Sequence, residues 1–256
     1  MLSFHQKRLG LVTVFSILLF TVVSNAGSLP IATGEWVPFT SKGMKHYGEF
    51  TQRVTIIFQE MDIEPEYRFY PWGRCFDSVI KGRTWAAFPY SYTKDRAKKV
   101  WFSDMLSCSK TLFFYYEDED STTTYRVKEL EDLKLYKLGG VRGYFYEEFF
   151  EKAGLDVDYV NKEINAIEKL KLGRIDLMPV NELVGWNLIK THFSGERHRF
   201  KTLSLPLSVN PLHLIISKEY PGSKKMLKLF NQALAACVEK GLLTIEPCEV
   251  ELGIMK

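Results

Sequence analysis

Two stretches of this chain run through the same order of signals: an amphipathic helical run, a Gly-Arg pair, a short apolar run and a proline. In the first, Trp72, Cys75, Phe76, Val79 and Ile80 recur at helical spacing, Gly82-Arg83 follows, and Trp85 to Phe88 leads to Pro89. In the second, Ile164, Ile167 and Leu170 mark the helix, Gly173-Arg174 follows, and Ile175 to Met178 leads to Pro179. A helix with one apolar stripe and a strand with no polar face must cover each other. A chain that does this twice is therefore expected to hold two similarly built α/β units. Each proline is expected to close its strand, because it has no N–H to give to a ladder.

The remaining pattern fits the same plan. Phe50, Val54, Ile57, Phe58 and Met61 predict a helix, Tyr67 and Phe69 a strand, and Pro71 the first turn of the helix that carries Trp72. Thr111 to Tyr116 is a continuous apolar and aromatic run, and the polar stretch from Glu117 to Thr124 after it marks a boundary. Beyond it, strands are expected at Tyr136 to Val141 and Val157 to Val160, with a turn at Arg142-Gly143 and a helix at Tyr146 to Lys152. Leu212 to Ile216 reads as a late strand, and Met226, Leu227, Phe230, Leu234 and Val238 as a last amphipathic helix returning to the first unit. The expected division is residues 27–113 with 208–256 in one lobe and 114–207 in the other.

The first 26 residues read as an address. Lys7 and Arg8 precede an apolar stretch from Leu9 to Val23, and Ser24-Asn25-Ala26 ends it with the small residues a signal peptidase requires. Cleavage after Ala26, a mature start at Gly27 and export to the periplasm are expected. In an oxidising compartment Cys75, Cys108, Cys237 and Cys248 allow three pairings. Cys237 with Cys248 and Cys75 with Cys108 are the expected ones, with at least one pair left as buried thiols as the alternative.

Composition and motifs narrow the function. With 46% apolar and 25% charged residues the chain can bury a large core, and 34 basic against 31 acidic residues is too balanced for a nucleic-acid footprint. It has no phosphate loop ending in Lys-Ser/Thr, no Gly-x-Ser-x-Gly and no His-Glu-x-x-His, and His46, His192, His198 and His213 lack ligand spacing. No metal or cofactor is expected. Gly140-Val141-Arg142-Gly143 lies between a strand and a helix, where backbone N–H groups can hold an anion. Trp36 follows a short first strand, where loops at strand carboxyl ends line the crevices of open sheets and an aromatic can stack on a ligand. Arg96 follows Phe88-Pro89-Tyr90-Ser91-Tyr92-Thr93, and its planar fork suits a carboxylate.

In order and spacing, Thr33-Gly34-Glu35-Trp36-Val37-Pro38-Phe39, Tyr70-Pro71-Trp72-Gly73-Arg74, the segment from Phe88 to Arg96, and Phe102-Ser103-Asp104 resemble the bacterial extracellular solute-binding proteins of family 3. The resemblance covers the mature chain and is nearest to the polar amino-acid branch and its stand-alone periplasmic relatives. It implies a two-lobed α/β fold of the type II periplasmic-binding-protein class, with two crossing strands joining the lobes and a small solute between them. It also implies a monomer that hands an amino acid or other carboxylate to an ABC-type membrane permease.

By the same resemblance, Trp36 covers the ligand, Ser91 lies beside it next to Tyr90, Arg96 binds the α-carboxylate and Trp72 lines the first lobe. Arg142, Gly143 and Tyr144 form the second-lobe turn. The chain departs from the pattern where Tyr144 and Phe145 replace small hydroxyl residues, and where the ammonium-binding acid falls on Asn181, with Glu182 beside it. A neutral amide holds an ammonium group less strongly than a carboxylate does. Two alternatives accompany this expectation: an exported enzyme similar to cyclohexadienyl dehydratases, with Glu35 or Glu182 as the acid, and a ligand-sensing module with no transport role.

Overall fold

The computed structural model describes residues 28–118, 124–248 and 253–254, so the expected leader and its cleavage point lie outside the described residues. Strand β1 (Leu29–Thr33) is buried throughout and is flanked by β2 (Pro65–Phe69) and β3 (Ala86–Ser91), both parallel to it. Parallel neighbours need crossovers, which are supplied by α1 (Glu49–Glu60) and α2 (Trp72–Ile80). The α1 stripe read from the sequence is the buried one: Phe50, Val54, Ile57 and Phe58 face inward. After α3 (Lys94–Lys99) and β4 (Val100–Phe102), the chain enters the ten-residue strand β5 (Ser107–Tyr116).

The second α/β unit follows. Strands β6 (Leu138–Val141) and β7 (Val157–Val160) pair in parallel around α4 (Glu147–Lys152), and α5 (Glu163–Lys171) leads to β8 (Met178–Asn181). Helix α6 (Glu182–His192) and β9 (Phe200–Thr202) precede β10 (Ser208–Ser217), and α7 (Ser223–Glu239) packs back on α1 and β10.

Strands β5 and β10 are the long ones, and they hold the plan together. They pair antiparallel where Ser107–Thr111 meets Ser208–Leu212, and then diverge. The far half of β10 pairs with β3 and β4, while the far half of β5 pairs with β8 and β9. The ladder accordingly runs β2-β1-β3-β10-β5-β8. One apolar cluster gathers Ile31, Phe58, Trp85, Phe88 and Phe230, and another gathers Phe113, Leu133, Tyr146, Phe150 and Leu177.

Three expectations are corrected. Neither proline ends its strand. β3 continues through Pro89 to Ser91 because Phe88 and Pro89 together oppose the single residue Leu214, at a register shift that asks no N–H of the proline. Pro179 lies within β8, opposite Phe113 of β5, in the last strand of the ladder.

The cysteine pairing differs as well. Cys108, at the start of β5, is bonded to Cys248 with their Cα atoms 5.4 Å apart, and Cys75 and Cys237 are buried free thiols. Cys75 turns inward from α2, its sulfur 3.2 Å from Thr33 O, and the Cys237 sulfur faces α1, 4.0 Å from Ile56 O. Helix packing thus claims both sulfurs, while the tail beyond α7 carries Cys248 to β5. The same tail then reaches Leu207: Ile254 N donates to Pro206 O at 2.9 Å, and its side chain is buried in the cluster around Phe113 and Leu133.

Candidate ligand-binding cleft

The loop after β1 is tied to itself, which fixes Trp36. Trp36 N donates to Thr40 O at 2.7 Å, Thr40 Oγ1 donates to Gly34 O at 2.7 Å, and the indole packs on Phe39 with ring centroids 4.6 Å apart. Gly34 has no side chain for a spatial reason, since a Cβ there would lie 2.8 Å from the Trp72 ring. Trp72 stands edge-on to both Trp36 and Tyr90, and Tyr90 Oη donates to Trp72 O at 2.8 Å. Burial pushes the Tyr90 hydroxyl well above its ordinary pKa, so it stays a neutral donor.

Arg96 is placed by the turn that starts α3. Thr93 caps that helix, its Oγ1 accepting from Arg96 N at 3.1 Å, and the arginine side chain folds back beneath β3. Nη1 donates to Ser91 O and Nη2 to Gly143 O, both at 2.9 Å, and the guanidinium lies 5.1 Å from the centroid of the Tyr90 ring. Arg96 is 8% exposed and has no ion-pair partner among the described residues. Burial lowers its pKa, although a guanidinium remains charged at any ordinary pH.

The facing wall comes from the turn between β6 and α4. Gly143, at φ +81°, approaches α2 so closely that a Cβ would sit 2.9 Å from Gly73 N. Gly143 N donates to Glu147 Oε2 at 2.5 Å, so the chain's own carboxylate takes that N–H. Tyr144 donates its hydroxyl to Glu163, the first residue of α5. Glu163 is buried, and desolvation raises its pKa against the lowering effect of that hydrogen bond. At the floor, Asn181 caps α6: its Oδ1 accepts from Leu183 N and Val184 N at 3.0 and 3.1 Å, and its Nδ2 donates to Ser109 Oγ at 3.0 Å.

Together these groups enclose a cavity of about 50 Å³ between the strand ends of β3, the β6–α4 turn and the crossing strands. The likeness of this arrangement to solved structures is broad. A histidine kinase sensor domain with similarity to periplasmic binding proteins superposes with a TM-score of 0.73 at 18% identity, over 84% of this chain and 92% of its own. An ancestral arginine-binding protein bound to arginine gives 0.68 at 22% identity, over 84% and 94%. An ABC uptake transporter substrate-binding protein from Streptococcus pneumoniae with bound histidine gives 0.68 at 20%, over 84% and 88%. The chain has the periplasmic-binding-protein fold. No protein-family model and no curated protein sequence matches it.

Within that fold, Trp36, Trp72, Tyr90, Ser91, Arg96, Gly143, Tyr144 and Asn181 all line the one cavity. Arg142 and Glu182 do not. The Arg142 side chain is exposed and lies over the Tyr159 ring, 5.7 Å from its centroid, facing an adjoining groove instead. Glu182 starts α6, one residue past the strand end that meets the cavity. Glu35 is exposed, accepting from Lys42 N at 3.0 Å, so neither acid named for an enzymatic reading reaches the cleft. Sequence reasoning missed Pro89, Ser109, Thr111 and Leu212, which line the cavity from β3 and the two crossing strands. Ser109 and Thr111, two apart on β5, share one face of the strand, but only knowledge of which strands cross singles out that face.

Proposed function

We propose that this protein is an exported solute-binding protein that closes its two lobes on a small carboxylate-bearing solute for delivery to an ABC-type permease. The observation that carries the reading is Arg96, a buried cation with two backbone carbonyls and an aromatic face around it and no acid in contact with it among the described residues. A buried charge with no carboxylate in contact, and only Glu147 and Glu148 acting on it from the adjoining groove, is costly, and a ligand carboxylate docking on the guanidinium reduces that cost. Trp36 and Trp72 supply flat apolar surface beside it, and Ser91 sits at the same strand end.

The division into 27–113 with 208–256 and 114–207, the leader ending at Ala26 and the monomeric state belong to this proposal. Two features support the two-lobed division, with the tail at Ile254 as the exception, since it packs with Leu133 and Tyr146 of the second unit. Strands β5 and β10 run between the two α/β units, and Gly143 reaches across to both Arg96 and the start of α2. At about 50 Å³ the cavity has room for only a few waters, so a solute enters when the walls part, by hinge bending in the crossing strands. The amino acids bound by the arginine-binding protein and the pneumococcal protein make carboxylates the first class to test.

The experiment is a thermal-shift screen of organic acids, amino acids and uncharged solutes on the purified protein. Stabilisation by carboxylates, and not by their amides, is the expected result. Stabilisation by uncharged solutes alone would overturn the reading.

A further inference from the structure

The cleft is rich in donors and poor in acceptors, and that imbalance specifies a ligand more narrowly than a carboxylate of any kind. Arg96 carries the one formal charge among the described residues that line the cavity. A guanidinium has five N–H groups and two are used, by Ser91 O and Gly143 O, so three remain to be given to a ligand. Trp36 Nε1, on a side chain 6% exposed, is a further donor; it is buried beside the Tyr144 hydroxyl and makes no well-formed hydrogen bond among the described residues. A buried N–H without an acceptor is uncommon enough to need a cause, and a ligand oxygen provides one.

The amide and carbonyl acceptors are engaged, and the hydroxyls of Ser91 and Thr111 are the ones left open. Both lone pairs of Asn181 Oδ1 are taken by Leu183 N and Val184 N, and Ser109 Oγ accepts from Asn181 Nδ2. Ser91 O and Gly143 O already receive Arg96. The nearest acids do not line this cavity: Glu147 holds Gly143 N and, with Glu148, lines the adjoining groove that Arg96 also borders, and Glu163 stands behind Tyr144, whose hydroxyl it accepts. An ammonium group placed in this cavity would lose its hydration and meet no carboxylate and few open lone pairs.

We propose that the cleft selects carboxylates with no ammonium group, either plain acids or 2-oxo acids whose second oxygen meets the free donors, over the corresponding amino acids. This rests on reading Arg96 as the carboxylate anchor. Asn181, held as a helix cap, is the residue that sets the preference, because its capping oxygen is no longer available to an ammonium group.

The test is calorimetry on the purified protein with three matched triplets: alanine, propionate and pyruvate; leucine, 4-methylpentanoate and 4-methyl-2-oxopentanoate; and phenylalanine, 3-phenylpropionate and phenylpyruvate. The expected result is at least tenfold tighter binding of the acid or the oxo acid than of the amino acid, in whichever triplet fits the cavity. Asn181→Asp keeps a capping oxygen and places a second carboxylate oxygen where the amide nitrogen was, so it is expected to shift that ratio at least tenfold toward the amino acid. Amino acids binding as tightly as their deaminated partners would overturn the inference and leave the carboxylate reading standing, as would an unchanged ratio in Asn181→Asp. Binding of none of the nine, with uncharged solutes binding instead, would overturn both.

Discussion

Arg96 in one wall of the cleft and Glu163 behind Tyr144 of the other are both buried ionisable side chains, and they differ in what compensates them. Arg96 spends two N–H groups on carbonyls and keeps its charge, which makes it dependent on a ligand anion. Arg96→Lys retains charge and loses the fork, so its ligand affinity is expected to fall about tenfold or more by calorimetry, with the fold unchanged by circular dichroism. Glu163 has the opposite problem. Burial holds its pKa above the ordinary carboxylate value, so the folded protein binds the proton more tightly than the unfolded chain. Its stabilising contribution is then complete below the unfolded carboxylate pKa and lost as pH rises through the raised folded one. Glu163→Gln keeps an oxygen for the Tyr144 hydroxyl and removes the charge. In urea melts between pH 4 and 8 the variant is expected to show a flatter pH profile and to be the more stable protein at the upper end. A wild-type advantage that grows with pH would contradict this. Of these residues the sequence made Arg96 legible through the family resemblance that the segment from Phe88 to Arg96 carries, since alone it reads as an ordinary surface arginine. Glu163 was not legible, since an acid at a helix start is ordinarily a solvated one.

At the scale of elements, the helix periodicities were readable and the partners of individual side chains were not. The stripe of α1 and the Gly stops at Gly82 and Gly173 could be placed because a spacing of 3.6 residues and a positive φ are local properties. The prolines misled because a strand can absorb one at a register shift or in the last strand of a ladder, and pairing is not local. Cysteine pairing failed for the same reason: the helix faces of Cys75 and Cys237 are packed against β1 and α1, and burial pushes the Cys75 thiol up to about 12. Alkylation of the denatured, unreduced protein is expected to label two cysteines, Cys75 and Cys237, and to label four after reduction. Peptide mapping should recover the Cys108–Cys248 link, and a link between Cys237 and Cys248 would contradict the fold of the tail. Because this bond closes a separation of 140 residues, Cys108→Ser with Cys248→Ser is expected to cost about 2–5 kcal/mol of stability.

For the whole molecule, the two α/β units touch at the cleft where Gly143 meets the start of α2 and accepts Arg96, and again where Lys152 of α4 pairs with Asp95 of α3. Gly143→Ala adds a methyl group at a positive φ, and the nearest atom it meets is backbone, which cannot turn aside. The substitution is expected to weaken ligand binding at least tenfold while leaving the melting temperature of the ligand-free protein within a few degrees, because the crossing strands and the buried clusters that join the units do not depend on this turn. A large drop in the ligand-free melting temperature would show that this contact supports the fold rather than closure. The repeated order of helix, glycine, strand and proline made the two units readable, whereas the floor formed by Ser109, Thr111 and Leu212 was hidden in strands that look ordinary until their crossing is seen. The central claim is that a ligand carboxylate answers the buried, unpaired charge of Arg96. The most direct measurement is calorimetry of the best-binding acid against the parent protein and Arg96→Ala, where losing one member of a buried charge pair is expected to cost about 2–5 kcal/mol. Equal affinities in the two proteins would contradict the claim.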